Sequence, residues 1–192
     1  MKNALFFGSF NPIHMGHLAL AQFALNFGGV DAVTLVVSPQ NPFKNEAELA
    51  PAQERLRMAR LATEQDSCIS VSDIEMRLPH PSYTINTLEA LEAQNPELDY
   101  AILMGEDNLA GLPRWHRAKE LIAGRTFVVY PRPGYDADAR IVEEMGGTVR
   151  RLAAPQMDVS SSMLREWIRQ RKSIRHFVPT GVEEVAARLY RD

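Results

Sequence analysis

The chain alternates short, continuous apolar runs with longer stretches in which apolar residues recur every three to four positions. Runs at 4–7, 31–38, 69–74, 100–104, 126–130 and 148–152 read as strands, because a short uninterrupted apolar run suits a strand covered on both faces. Stretches at 15–27, 51–64, 84–94, 114–123 and 136–145 read as helices. Pro51 suits a first helical turn, and Gly146-Gly147 is a stop signal. Val182, Val185, Ala186, Leu189 and Tyr190 fall on one face of a final amphipathic helix. This alternation predicts an α/β fold, Rossmann-like and doubly wound, with a mostly parallel sheet and helices on both faces. Such sheets bind ligands beyond the carboxyl ends of their strands, where the strand order reverses. No repeat, low-complexity tract or linker interrupts the pattern, so 1–192 reads as one domain.

Composition narrows the partners. The 192 residues are 45% hydrophobic and 23% charged, which are globular values. A net charge of -3 speaks against bulk nucleic-acid binding, which wants a basic face, while leaving room for a local phosphate pocket. The single cysteine, Cys68, allows no disulfide framework within one chain, and a reducing, cytoplasmic setting is the simplest reading. Cys68 adjoins a strand-like run and is expected to be buried. Neither a signal peptide nor a membrane-spanning run is visible, so no membrane partner is expected. A homo-oligomer is compatible with the sequence, which leaves that point open.

Chemistry concentrates after the first strand, in Gly8-Ser9-Phe10-Asn11-Pro12-Ile13-His14-Met15-Gly16-His17. Strand, small-residue turn, then helix is the order of a phosphate site: Gly8 and Ser9 let backbone approach a ligand, and a helix start favours anions. Gly16 is expected to leave room for a nucleotide. His14 and His17 share a face of the first turn and can donate to phosphate oxygens. Two surface histidines or a metal pair would carry the same letters, but the glycine frame favours phosphate. This is not a Walker loop, since no Gly-Lys-Ser/Thr follows. A second segment, Val159-Ser160-Ser161-Ser162-Met163-Leu164-Arg165, opens a later helix with capping hydroxyls and a guanidinium one turn in.

The first run resembles the G-x-F-x-P-x-H-x-G-H box of the H-x-G-H nucleotidyltransferase superfamily, without a gap. The second resembles its I-S-S-T-x-x-R box, with Ser162 where Thr is usual. Pro81-Ser82-Tyr83-Thr84-Ile85-Asn86-Thr87-Leu88, Gly105-Glu106-Asp107-Asn108-Leu109, Pro113-Arg114-Trp115 and Arg132-Pro133-Gly134-Tyr135 are similar to stretches of the bacterial nicotinate-nucleotide adenylyltransferase family.

That resemblance implies adenylyl transfer from ATP to nicotinate mononucleotide, in NAD biosynthesis. It implies an ATP site of Gly8, Ser9, Phe10, His14, Gly16, His17, Gly105, Asp107, Ser161, Ser162 and Arg165, with His14, His17 and Arg165 catalytic. It implies a pyridine-nucleotide site of Lys44, Thr84, Ile85, Trp115 and His116, in which Trp115 stacks on the ring and backbone amides of Ile85 and His116 meet its carboxylate. Glu106 reads as surface charge. No carboxylate cage is visible, so Mg2+ is expected to arrive with ATP. Phosphopantetheine adenylyltransferases and cytidylyltransferases share the first box, and a non-catalytic nucleotide-sensing module could use the same fold. These stay open at the level of sequence.

Overall fold

All six apolar runs become strands of one sheet. In the computed structural model, which describes residues 1–39 and 49–191, the order is β1 (Lys2–Gly8), α1 (Met15–Phe27), β2 (Ala32–Val37), α2 (Ala52–Ala62), β3 (Ile69–Ser72) and α3 (Thr84–Gln94). There follow β4 (Asp99–Gly105), α4 (Glu106–Leu109), α5 (Ala118–Ile122), β5 (Thr126–Tyr130), α6 (Arg140–Glu144), β6 (Thr148–Arg151), α7 (Ser161–Arg169) and α8 (Val182–Tyr190). The strand order is β3-β2-β1-β4-β5-β6, and every pairing is parallel. The first three strands therefore build outward one way and the last three the other. Central β1 pairs with both β2 and β4, and Gly8 and Gly105 end the two strands at the reversal.

The period of two along a strand sorts the core into two layers. Phe6, Leu35, Leu103 and Val128 face the layer that includes Ala21 and Ala24 of α1, Leu56 of α2, Leu164 and Ile168 of α7 and Val185 of α8. Leu5, Val36, Ile102 and Phe127 face the other layer, with Leu88 of α3, Leu109 of α4, Leu121 of α5 and Val142 of α6. No described helix is long and apolar enough to cross a membrane.

Several boundaries move. The helix expected over 114–123 shortens to α5, after a 3-10 turn over Leu112–Arg114, and the one over 136–145 shortens to α6. Pro51 stands before α2 as its cap rather than within its first turn. The short α4 carries no periodic signal and was not expected. Cys68 lies just ahead of β3 and is exposed, contrary to expectation, although its carbonyl accepts from the Val33 amide of β2 at 2.9 Å.

One buried charge holds the strand ends together. Arg55 of α2 is 1% exposed, and its guanidinium donates to four carbonyls. Nε reaches Ala50 O at 2.9 Å, Nη1 reaches Ser9 O and Ser38 O at 2.7 Å, and Nη2 reaches Pro39 O at 2.6 Å. The fork thus ties the segments leaving β1 and β2 to the start of α2. Arg55→Met should strip these carbonyls of charged donors, two of them at fully buried bonds. The expected loss is at least about 3 kcal/mol. In a chain of this size that lowers the melting temperature by roughly 6–12 °C, which differential scanning calorimetry would detect.

Candidate functional site

The site lies where β1 and β4 end, and its floor is the loop after β1. That loop has little regular hydrogen bonding of its own, so distant side chains satisfy its carbonyls. Ser9 O accepts from Arg55, Asn11 O from Arg165 Nη1 at 2.9 Å, and Pro12 O from Ser161 Oγ at 2.9 Å. The side chain of Asn11 is buried too: Oδ1 accepts from the Ala50 amide at 3.0 Å and from Tyr190 Oη at 2.6 Å. Phe10 takes φ 45°, and its buried ring stands edge-on to Phe6 and His17. Gly8 makes room for that ring, since a Cβ there would come within 2.8 Å of Phe10 Cζ. The side chain of Phe10 is thus core, and only its backbone can meet a ligand.

His14 caps α1 and His17 occupies its first turn. Their rings stack at 3.7 Å with planes 30° apart. The His14 amide donates to His17 Nδ1 at 3.2 Å, which places the proton of a neutral His17 on Nε2, as a donor. The reciprocal half of this capping box is looser. The His17 amide bonds to His14 O at 2.9 Å, and buried His14 Nδ1 has no hydrogen-bond partner among the described residues. Burial, with the positive charge of Arg132 nearby, holds His14 down at about 4. His14 is therefore a neutral imidazole near neutral pH.

Two expectations about this helix start change. The Met15 amide is already taken by Phe177 O at 2.8 Å and the His17 amide by His14 O, so the end is not a row of unpaired donors. Gly16 does not open space for a nucleotide: it is buried, and a Cβ there would lie 2.9 Å from Val159 Cγ1 and 3.0 Å from His14 Nδ1. Its missing side chain lets the two sequence boxes pack against each other.

The second box meets the first directly. Ser160, rather than Ser161 or Ser162, caps α7 by accepting from the Met163 amide at 3.2 Å. Ser161 bonds to the loop, and buried Arg165 bonds to Asn11 O and, at 3.4 Å, to Ser162 Oγ. Across the switch point, Gly105 caps α4, and a Cβ on it would lie 2.3 Å from Asp107 Oδ1. That oxygen is buried with no hydrogen bond among the described residues; Arg132 Nε is 3.6 Å away. Arg132 was given no role by sequence, although its place just past β5 was the available signal. Glu106 is not surface charge: it is 7% exposed and ion-paired with Arg151.

At the other end, Thr84 and Ile85 are the first two positions of α3, whose amides have no carbonyl four residues back within the helix. Tyr83 stacks on His116 at 4.1 Å with planes 24° apart, which brings the start of α3 beside the segment after Trp115. Trp115 is half-buried against the second core layer. Lys44 lies outside the described residues.

The depressed His14 predicts a pH effect on stability. Its folded value, about 4, lies below the 6.5 of an ordinary histidine. Between these values the unfolded chain takes up a proton that the folded chain refuses. Stability therefore falls as pH drops through 6.5, and the loss is complete near pH 4; in full it is roughly 3 kcal/mol. Denaturant unfolding at pH 7 and pH 4.5 should show a smaller acid loss for His14→Gln than for wild type.

Comparison with known proteins agrees with this geometry. Residues 5–167 match the cytidylyltransferase-like family. The chain is 40% identical over 184 residues to a "probable nicotinate-nucleotide adenylyltransferase" of Bacteroides thetaiotaomicron, covering 96% of this chain and 90% of that one. It is 38% identical over 184 residues to the protein of the same name from Flavobacterium johnsoniae, covering 96% and 95%. Its fold is similar to that of Plasmodium falciparum nicotinic acid mononucleotide adenylyltransferase solved with NaAD: the TM-score is 0.77 at 16% identity, over 97% of this chain and 95% of that one. The reversal at β1 and β4, the stacked histidines beside it and these matches over nearly the whole length agree, and the chain belongs to the nicotinate-nucleotide adenylyltransferases of the cytidylyltransferase-like family.

Proposed function

We infer that the chain transfers the adenylyl group of ATP to nicotinate mononucleotide, giving nicotinate adenine dinucleotide and pyrophosphate. One observation carries this reading: the stacked His14–His17 pair and the Ser161–Arg165 segment, far apart in sequence, converge on one loop at the switch point. A phosphate-binding floor at that place fits a nucleotide. The 40% identity to a relative named for this activity favours the pyridine nucleotide over the other substrates of the superfamily.

In this reading an oxygen of the 5′-phosphate of nicotinate mononucleotide attacks the α-phosphorus. The bond from that phosphorus to the bridging oxygen breaks, and pyrophosphate leaves with the electron pair. The attacking group is already anionic, so no protein nucleophile is needed and rate comes from alignment and charge stabilisation. His17 donates from Nε2 to oxygens that gain charge, and neutral His14 lies against it. Arg165 offers a fixed guanidinium from below the loop. Asp107 takes a hydroxyl of the adenosine ribose, a donor that would satisfy its buried Oδ1.

The amide of Ile85, at the start of α3, and that of His116 receive the ring carboxylate, with Thr84 beside them. Trp115 is the ring's platform, and Lys44 reaches the mononucleotide phosphate. Among the described residues no group of three His, Cys, Asp or Glu side chains is placed to hold a metal. Mg2+ in this reading is bound by the phosphates of ATP.

His17→Ala should lower kcat by about 10²–10³, the usual effect of losing one aligned donor, while circular dichroism stays that of the wild type. A variant within tenfold of wild-type kcat would remove His17 from the site.

The ring end should discriminate acid from amide. Two N–H donors suit a carboxylate and leave an amide NH2 facing donors, a mismatch of about 1–3 kcal/mol. That is roughly 5–150-fold in kcat/KM in favour of nicotinate over nicotinamide mononucleotide. Paired kinetics read the ratio directly. Trp115→Ala should raise KM for both pyridine nucleotides and leave the ratio nearly unchanged, because either ring is flat.

A further inference from the structure

The loop that carries the His14–His17 pair is held from the far end of the chain. Tyr190 closes α8, and its hydroxyl donates to Asn11 Oδ1 at 2.6 Å. The same oxygen accepts from the Ala50 amide, and the carbonyl of Asn11 accepts from Arg165. Asn11 is therefore bonded from α8, from the segment before α2 and from α7. Burial raises the phenol of Tyr190, against the opposing pull of Arg165 and Arg55, so it stays protonated and keeps donating.

We propose that Tyr190 is a positioning residue for adenylyl transfer: acting through Asn11, it fixes the peptide planes of the loop whose amides and histidines face the triphosphate. The physical argument concerns direction. In a trans peptide the N–H points opposite to the preceding C=O. With the carbonyls of Ser9 and Pro12 anchored on Arg55 and Ser161, the amides of Phe10 and Ile13 point the other way. Asn11 sits between these two planes, and its side chain is their central restraint.

A loop released at Asn11 can drift by a fraction of an ångström while the fold persists, since Arg55, Arg165 and Ser161 remain. In-line displacement is sensitive to errors of that size. The ring end of the site, on α3 and the Trp115 segment, has no bond to Tyr190 and should not respond. The inference rests on the adenylyl-transfer reading.

The test is Tyr190→Phe, which removes one hydroxyl and keeps the ring in its buried place. The expected result is a fall in kcat of about 5–50-fold at 25 °C, with KM for nicotinate mononucleotide unchanged. Forward synthesis and pyrophosphorolysis of the dinucleotide should fall by the same factor, because one transition state serves both directions. In an Asn11→Ala background the same change should have no further effect. Arg188→Ala is the control, because it removes the exposed α8 ion pair to Glu54 and touches no part of the loop; its kcat should match wild type. Active wild type with unchanged kcat in Tyr190→Phe, or full additivity with Asn11→Ala, would overturn the positioning role alone. Wild type that releases no pyrophosphate with any pyridine mononucleotide would overturn the reaction and this role with it.

Discussion

Three carbonyls of one short loop, those of Ser9, Asn11 and Pro12, are held by side chains from elsewhere in the chain, and the candidate site depends on that restraint. The loop leaves β1 at the sheet's reversal, where neighbouring strands diverge and cannot satisfy its backbone. A buried carbonyl without a donor is costly. The solution is two arginines and a serine, brought in on α2 and α7. Two of the three donors are charged and rigid guanidinium groups, which fix the carbonyls of Ser9 and Asn11 in direction as well as satisfying them. The histidines that follow inherit that fixed geometry, so two helices distant in sequence help to shape the candidate site.

The electrostatics follow from the same choice. Arg55 and Arg165 are both buried, and the bonds described for them run to carbonyls and a hydroxyl. Arg132 adds a third cation near His14, facing only Asp107 among the described ion pairs. A chain with net charge -3 thus gathers three cations, Arg55, Arg132 and Arg165, near the strand ends. Protonating His14 there would add like charge in a dry place, which is why its pKa is lowered.

How far the sequence carried this picture depended on what each residue was doing. The strands were legible because sheet burial on both faces writes continuous apolar runs, and α1 and α3 were legible to the residue. Helices α5 and α6 were overestimated because apolar residues that continue their periodicity pack from turns instead. Cys68 was misread from its neighbours, since a place beside a strand does not by itself bury a side chain. Gly16 was assigned to the right region for the wrong reason: spacing marks a glycine but not the side chain that fills its place. Glu106 hid its partner, Arg151, 45 positions away. Arg55 carried no local signal, because an arginine in an amphipathic helix looks solvated until the fold brings carbonyls to it; Tyr190 was legible as part of an apolar helix face, but its bond to Asn11, 179 positions away, was not.

The two ends of the candidate site are built differently, and that difference has a consequence for how each tolerates change. The phosphate end is made of side chains whose bonds interlock: Arg165 and Tyr190 both reach Asn11, and Gly16 is filled by Val159 and His14. Replacing one member there leaves its partners unsatisfied, so substitutions should be strongly coupled. The ring end offers backbone amides at the start of α3 and after Trp115, joined by an exposed Tyr83–His116 stack. A backbone donor survives a change in its own side chain, so substitutions there should be less coupled. Where α3 begins is in turn fixed by packing, since Ile85 and Leu88 anchor its first turns in the second core layer.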